Sequence, residues 1–316
     1  MNVYISILIA VFLFYLMGKV ADVVILHTRE IGRRLGIDIF FLGLVLGFLT
    51  SFPELSIGIG SALRGTANLS LGNLLGGIVV LIGFVLGLSV VLNRKIKTDG
   101  NLWHITPVLF FLVLPLILGY DGQLSFGDGL VMIFLYFLMM YVLYKQNKHI
   151  HHESFDAPEI NERGVVYHFS ILLINLLIIV VVSQLIVYLA LDVLEKFNVS
   201  VFWMGLILFS VGTNLPEIMI TLRSWNKHIK ELSFSNLLGS SMANIAIVGM
   251  VTLINPITLS LDYSYYSLLI FIVILGLMFS IFYKTKRQLT RSEGVMLLLI
   301  YIIFVISQSY FGILLQ

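Results

Sequence analysis

The chain has no cysteine. That excludes disulfides, thiolate metal sites and a cysteine nucleophile. Charge is also scarce. Of 316 residues only 11% are charged, whereas 59% are apolar, and the mean hydropathy is +1.02. A chain with so little polar surface cannot enclose a large water-facing domain, and its longest polar stretch is the segment around 145–164. No glycine-rich phosphate-cradling motif of the Walker type is present, so any energy for active work must come from an ion gradient. The expected partners are the lipid bilayer and transported cations. No nucleic-acid partner and no bound cofactor are expected, and the chain is expected to work as a monomer.

What is present in abundance is apolar runs of about 20 residues, long enough at about 1.5 Å per residue to cross a bilayer. Ten spans are predicted, at 3–26, 38–63, 70–92, 104–120, 126–145, 166–190, 199–223, 232–254, 264–283 and 293–314. The first is read as an ordinary span, because no basic residue precedes it and no small-residue cleavage site follows. Loops after odd-numbered spans carry sixteen Lys and Arg, and loops after even-numbered spans carry only Arg64 and Lys196. The positive-inside rule then places the first set in the cytoplasm and both termini outside, most simply in the cell membrane.

Two stretches repeat each other. One runs from Gly43 through Thr50, Ser51 and Pro53 to Glu54. The other runs from Gly205 through Thr213, Asn214 and Pro216 to Glu217. Each is followed by an Asn-Leu-Leu-Gly box, Asn73–Gly76 and Asn236–Gly239, and from Thr50 to Gly76 the offset is a constant 163 residues. The chain divides into a first half at 1–145, a polar linker at 146–164 and a second half at 165–316. Five spans per half is an odd number, so the halves enter the membrane with opposite orientation. The expected fold is an all-α polytopic membrane protein of ten helices in two inverted five-helix repeats, an arrangement that places a binding site near the bilayer midplane.

An acid inside an apolar span is costly unless it serves a site. Pro53 and Pro216 remove helix donors and are expected to free carbonyls around Leu49–Thr50 and Gly212–Thr213. Such carbonyls, the hydroxyls of Thr50, Ser51 and Thr213, and two carboxylates are hard oxygen ligands suited to Ca²⁺ or Na⁺. Two carboxylates neutralise one divalent ion, two monovalent ions or two protons. Small residues Gly72, Gly76, Gly77, Ser240 and Ser241 are expected to let helices approach closely.

At these residues the chain resembles the sodium/calcium exchanger family of the cation/Ca²⁺ antiporter superfamily, whose repeats read Gly-Thr-Ser-Leu-Pro-Glu and then Gly-Asn-x-x-Gly-Ser. The match is close in the second repeat (Gly212–Glu217, Asn236–Ser240) and looser in the first. The resemblance implies that Glu54 and Glu217 bind Ca²⁺ with the Thr50 and Thr213 carbonyls. It places Ser51 and Ser240 in flanking Na⁺ sites, and implies that spans 1 and 6 slide across the other eight. The full set of expected cation contacts is Thr50, Ser51, Glu54, Thr213, Asn214, Glu217, Ser240 and Asn244. The expected function is antiport of Ca²⁺, or a similar hard divalent cation, against Na⁺. H⁺ coupling, a non-transporting relative and a channel-like relative are the alternatives.

The departures are specific. Leu49 replaces a glycine and Asn214 a serine, while Gly77 stands for a serine and Leu81 for a polar amide. Asn244 stands where many prokaryotic members carry an aspartate. These put Na⁺ coupling in question more than divalent binding, and lead to an expectation of altered stoichiometry or H⁺ coupling. Elsewhere, His149, His151, His152, Glu153 and Asp156 read as a solvated linker rather than a metal site. Lys19 and Asp22 read as an ion pair one turn apart. Asn175, Ser183 and Gln184 read as hydrogen-bonding glue between helices. Asp121 and Asp128 flank one external loop, which excludes an intramembrane aspartyl protease.

Overall fold

The computed structural model describes residues 3–65, 67–93, 95–97, 102–147, 164–196, 211–227, 229–259 and 263–314. The His-rich linker segment and the first part of span 7 therefore lie outside the described residues. Among the described residues, eight helices are long and apolar enough to cross a membrane, and Val108–Asp121 forms a shorter apolar helix. In chain order the helices are α1 (Val3–Leu35), α2 (Ile39–Thr50), α3 (Phe52–Leu63), α4 (Ala67–Val79), α5 (Gly87–Asn93), α6 (Leu102–Leu118) and α7 (Phe126–Asn147) in the first half. The second half supplies α8 (Val165–Lys196), α9 (Leu215–Asn226), α10 (Lys230–Ile254), α11 (Tyr263–Lys284) and α12 (Arg291–Leu314). Most of the long helices carry apolar residues around most of their circumference, as spans in lipid must, while α9 and α10 keep a polar face.

The predicted spans map onto these helices with two internal breaks. Span 2 is α2 and α3, interrupted at Ser51. Span 3 is α4 and α5, joined by the π-helical segment Val80–Leu86. Apolar periodicity does not distinguish α from π winding, so that segment was not foreseeable; such wide turns concentrate at functional sites.

The inverted repeat shows in two short antiparallel ribbons. β1 (Lys95–Lys97) pairs with β4 (Gln288–Thr290), and β2 (Gln123–Leu124) pairs with β3 (Ile257–Thr258). Each ribbon joins a loop of one half to a loop of the other. Moving Lys95 along by the repeat offset lands on Thr258 in β3, and moving Leu124 lands on Arg287, next to β4, so the ribbons correspond approximately.

Two apolar cores result. The larger gathers side chains from both halves, including Leu81, Phe111, Ile247 and Phe279. The smaller is built by α1, α8 and one side of α9, with Leu46 and Leu232 at its border. α1 and α8 also meet through His27 and His168, whose Nδ1 atoms lie 2.9 Å apart. One ring must donate and the other accept for that contact to hold.

Two expectations about side chains in spans 1 and 6 are corrected here. Asp22 does not pair with Lys19. It reaches across to Arg223 Nη1 (3.7 Å) and Lys227 Nζ (3.6 Å) on and just after α9, while Lys19 Nζ sits 5.5 Å from the ring centre of Tyr15. Gly18 makes this possible, because the Arg223 guanidinium lies where a side chain at position 18 would be. Asn175 and Ser183 donate to the carbonyls of Ile171 and Val180 in their own helix, at 2.8 Å each, and Gln184 is exposed. In an apolar setting the nearest carbonyl is the one a turn back, and it satisfies the group without a partner helix.

Candidate cation site

The two broken helices bring the acids together. Ser51 ends α2 and precedes α3, and Asn214 precedes α9, with Pro53 and Pro216 in the first turn of the helix that follows. A first-turn proline fits there because its missing N–H would have had no partner. Glu54 and Glu217 lie in those same first turns, where the positive end of the helix dipole favours a negative charge.

The backbone break frees a carbonyl at Gly47, beyond those expected at Leu49–Thr50 and Gly212–Thr213. Ser51 N turns to the carbonyl of Phe48 (3.2 Å), which leaves the Gly47 carbonyl without its usual donor. Thr50 Oγ1 (3.0 Å), Ser51 Oγ (2.9 Å) and Ser240 Oγ (3.1 Å) all point at that oxygen. Ser240 belongs to α10, so one carbonyl joins the two repeats. Glycine at position 47 was noted only as part of the motif; its role as acceptor follows from the tightened turn, which spacing does not show.

Glu217 Oε1 receives only long contacts, from Ser240 Oγ (3.4 Å) and Ser51 Oγ (3.5 Å). Each of those hydroxyls has one proton and a shorter bond to Gly47, so Oε1 is weakly served. Glu217 Oε2 and both oxygens of Glu54 have no hydrogen-bond partner. Glu54 is 2% exposed and Glu217 is 0% exposed. The Thr213 hydroxyl faces Glu54, the Thr50 hydroxyl faces Glu217, and the two carboxylates interact with each other electrostatically. Each acid is thus attended by the threonine of the opposite repeat. Burying two ionised carboxylates without a counter-charge is prohibitive. The arrangement is a trap for positive charge.

The remaining expected contacts separate into two groups. Thr50, Ser51, Glu54, Thr213, Glu217 and Ser240 are all buried around this point. Asn214 and Asn244 meet instead at Gly77. A side chain at position 77 would come within 2.9 Å of Asn244 Nδ2 and 3.5 Å of Asn214 Nδ2. Asn244 Nδ2 donates to the Leu74 carbonyl at 3.2 Å; the acceptor fixes which end of the amide faces it. The three departures at 77, 214 and 244 are therefore one rearrangement, with two amides filling the space a serine would take. Leu81 lies in the π-helical segment and is fully buried in the larger apolar core. Sequence reasoning flagged each substitution singly, because nothing in spacing says that they touch. Among the described residues no neighbour lies within 4 Å of a side chain placed at Gly72 or Gly76, so the close approach expected there is not seen.

The architecture agrees with that of the chain's relatives. The family model for sodium/calcium exchanger protein matches residues 5–145 and 167–310, that is, both repeats. An uncharacterised membrane protein, MJ0091 of Methanocaldococcus jannaschii, is 27% identical over 301 residues, covering 93% of this chain and 96% of that one. The sodium/calcium exchanger MaX1 of Methanosarcina acetivorans is 23% identical, covering 95% and 98%. Among solved structures, the sodium-calcium exchanger NCX_Mj soaked with Na⁺ and Sr²⁺ superposes with a TM-score of 0.79 at 25% identity, covering 96% of this chain and 99% of that one. With both halves matched by one family model, the chain belongs to the sodium/calcium exchanger protein family of integral membrane cation antiporters.

Proposed function

We propose that the chain exchanges Ca²⁺, or a similar hard divalent cation, for Na⁺ by alternating access, with Glu54 and Glu217 as the shared charge trap. The observation that carries this reading is the pair of buried carboxylates, three of whose four oxygens have no hydrogen-bond partner. The contact set is that pair with Thr50, Ser51, Thr213 and Ser240, and the amides of Asn214 and Asn244 at its edge. A divalent ion and its monovalent competitors cannot occupy the trap together without excess charge, and that competition couples their movements. Related proteins carry the names sodium/calcium exchanger and NCX_Mj, and the latter was studied with Na⁺, Ca²⁺ and Sr²⁺. The chain acts as a monomer in the cell membrane, with its termini outside. H⁺ in place of Na⁺ is the second reading, favoured by Leu81 and by the amides packed at Gly77.

The deciding measurement is ⁴⁵Ca²⁺ uptake into proteoliposomes under an outward Na⁺ gradient or an outward H⁺ gradient. Na⁺-driven uptake is expected, and its indifference to the pH gradient would overturn the expectation of altered stoichiometry or H⁺ coupling drawn from Gly77, Leu81 and Asn244. Uptake driven by H⁺ alone would replace the first reading by the second, and single-channel currents would replace both by a pore.

In this reading the separate apolar core of α1 and α8 is the sliding element. Asp22 tethers α1 to α9 through Arg223 and Lys227. These groups are about a quarter exposed, so the tether contributes under about 1 kcal/mol to stability. Asp22→Asn is expected to change the initial exchange rate about two- to fivefold, with the melting temperature little altered. An unchanged rate would show that the tether does not hold either end state.

A further inference from the structure

Outside the carboxylate trap, unpartnered buried polar groups occur at Ser70, Asn73, Asn93 and His168, and three more lie together on α9 and α10. On α9, Glu217, Thr221 and Ser224 are spaced to share one face. On α10, Ser240 and Asn236 do the same, four residues apart. α9 and α10 are successive helices, three residues apart in sequence, and run antiparallel. The contact between Ser240 Oγ and Glu217 Oε1 sets their register. Counted from that level, helical rise brings Asn236 and Thr221 to the same height, one turn (about 6 Å) nearer the residues that link the two helices. Ser224 follows just beyond. α2 forms the third wall. It presents Gly43 and Gly47 to the backbone of Asn236.

Thr221, Ser224 and Asn236 are each 0% exposed. Thr221 Oγ1, Ser224 Oγ and both amide atoms of Asn236 have no hydrogen-bond partner. That is unusual in this chain. Elsewhere, helical Ser and Thr hydroxyls return to the carbonyl one turn back, as at Thr28, Ser61, Ser241, Thr252 and Ser280. The same escape is open to Thr221 and Ser224, and neither takes it. The other repeat copies the arrangement only in part: Asn73, at the place of Asn236, also has no partner on either amide atom, but the two hydroxyls have no unpartnered counterpart. Gly58 stands at the place of Thr221, and Ser61, at the place of Ser224, is bonded to Ile57 O at 2.7 Å.

We propose that Thr221 Oγ1, Ser224 Oγ and Asn236 Oδ1 form a second cation station, one helical turn from Glu217, that binds Na⁺ in preference to Ca²⁺. The donor set is all oxygen and wholly neutral. A neutral set compensates one positive charge better than two, whereas Ca²⁺ takes six to eight oxygens with carboxylates among them. Water completes the shell, as is usual where buried polar groups outnumber their protein partners. The station supplies oxygen ligands for Na⁺ in a chain that has lost others at Gly77 and Leu81. Its part in transport rests on the antiport reading; its existence as a binding site does not.

The test is equilibrium binding of ²²Na⁺ and of ⁴⁵Ca²⁺ to the purified full-length protein. Thr221→Val keeps the side-chain shape, and Ser224→Ala removes only an oxygen, so both are chosen to fold. The double variant T221V/S224A is expected to raise the Na⁺ concentration for half-saturation at least about tenfold and that for Ca²⁺ by less than about twofold. Asn236→Leu is expected to do the same. Unchanged Na⁺ binding in T221V/S224A would overturn the station and leave only water in the stripe. An equal loss of both ions would also overturn it, because a general packing defect would then suffice. Failure of the wild type to bind Na⁺ would overturn it as well. If Glu217→Gln abolishes Ca²⁺ binding while T221V/S224A leaves Na⁺ binding intact, the station falls and the carboxylate trap stands. If the wild type binds neither ion, both fall.

Discussion

Glu217→Gln is expected to reduce ⁴⁵Ca²⁺ exchange by at least about 100-fold while leaving the protein as stable as before, or more so. The same holds for Glu54→Gln. The two effects have one cause. The amide has the shape of the carboxylate but no charge, so a divalent ion loses a ligand that carried half of its compensation. Breaking a buried ionic contact of this kind costs about 3 kcal/mol or more, which is the stated loss of affinity. In the ion-free protein the substitution acts the other way. Glu54 has no hydrogen-bond partner on either oxygen and Glu217 has none on one, so removing the charge removes a desolvation penalty that the helix dipoles and the facing threonines offset only in part. Flux assays and thermal melting on the same preparations check both halves. A double-glutamine variant with normal flux would refute the assignment of the site. Lost flux together with a large fall in melting temperature would show that the acids are structural.

Much of this arrangement was legible in the sequence because an internal repeat makes the chain its own alignment. The constant offset from Thr50 to Thr213 and from Glu54 to Glu217 marked the paired acids, and the odd number of spans per half gave their inverted orientation. What the offset could not give was contact between elements. Spacing along one helix tells which side chains share a face, but not which helix that face meets. Asp22 was therefore matched with the nearest lysine in sequence, although its partners are Arg223 and Lys227 on and after α9. For the same reason Gly77, Asn214 and Asn244 were read as three losses rather than one packed unit. Asn236 was visible as the first residue of a repeated box. Its missing hydrogen-bond partners became visible only when α2, α9 and α10 were in place.

Gly47→Ala and Gly239→Ala are each expected to destabilise the protein by about 3 kcal/mol and to disable the site with it. The two glycines face each other where α2 crosses α10. A side chain at Gly47 would strike the carbonyl of Asn236, the amide of Ser240 and, at 2.8 Å, the carbonyl carbon of Gly239. A side chain at Gly239 would strike the Leu44 carbonyl and come within 2.7 Å of its Cα. All of these atoms are backbone in regular helices. None can swing aside as the end of a long side chain could, so the helices themselves must separate. The bond from Ser240 Oγ to the Gly47 carbonyl, 3.1 Å long, spans this contact. Any separation lengthens it, and with it the approach of Ser240 to Glu217. Fold and site therefore fail together, unlike in the glutamine variants, where only ion binding fails. Gly276→Ala on α11 is the control. Its nearest neighbour would be a leucine methyl at 3.9 Å, and alanine is the better helix former by about 1 kcal/mol. Denaturation midpoints in detergent should order the three variants accordingly. A Gly47→Ala protein with wild-type stability and exchange would mean that α2 and α10 do not meet through their backbones.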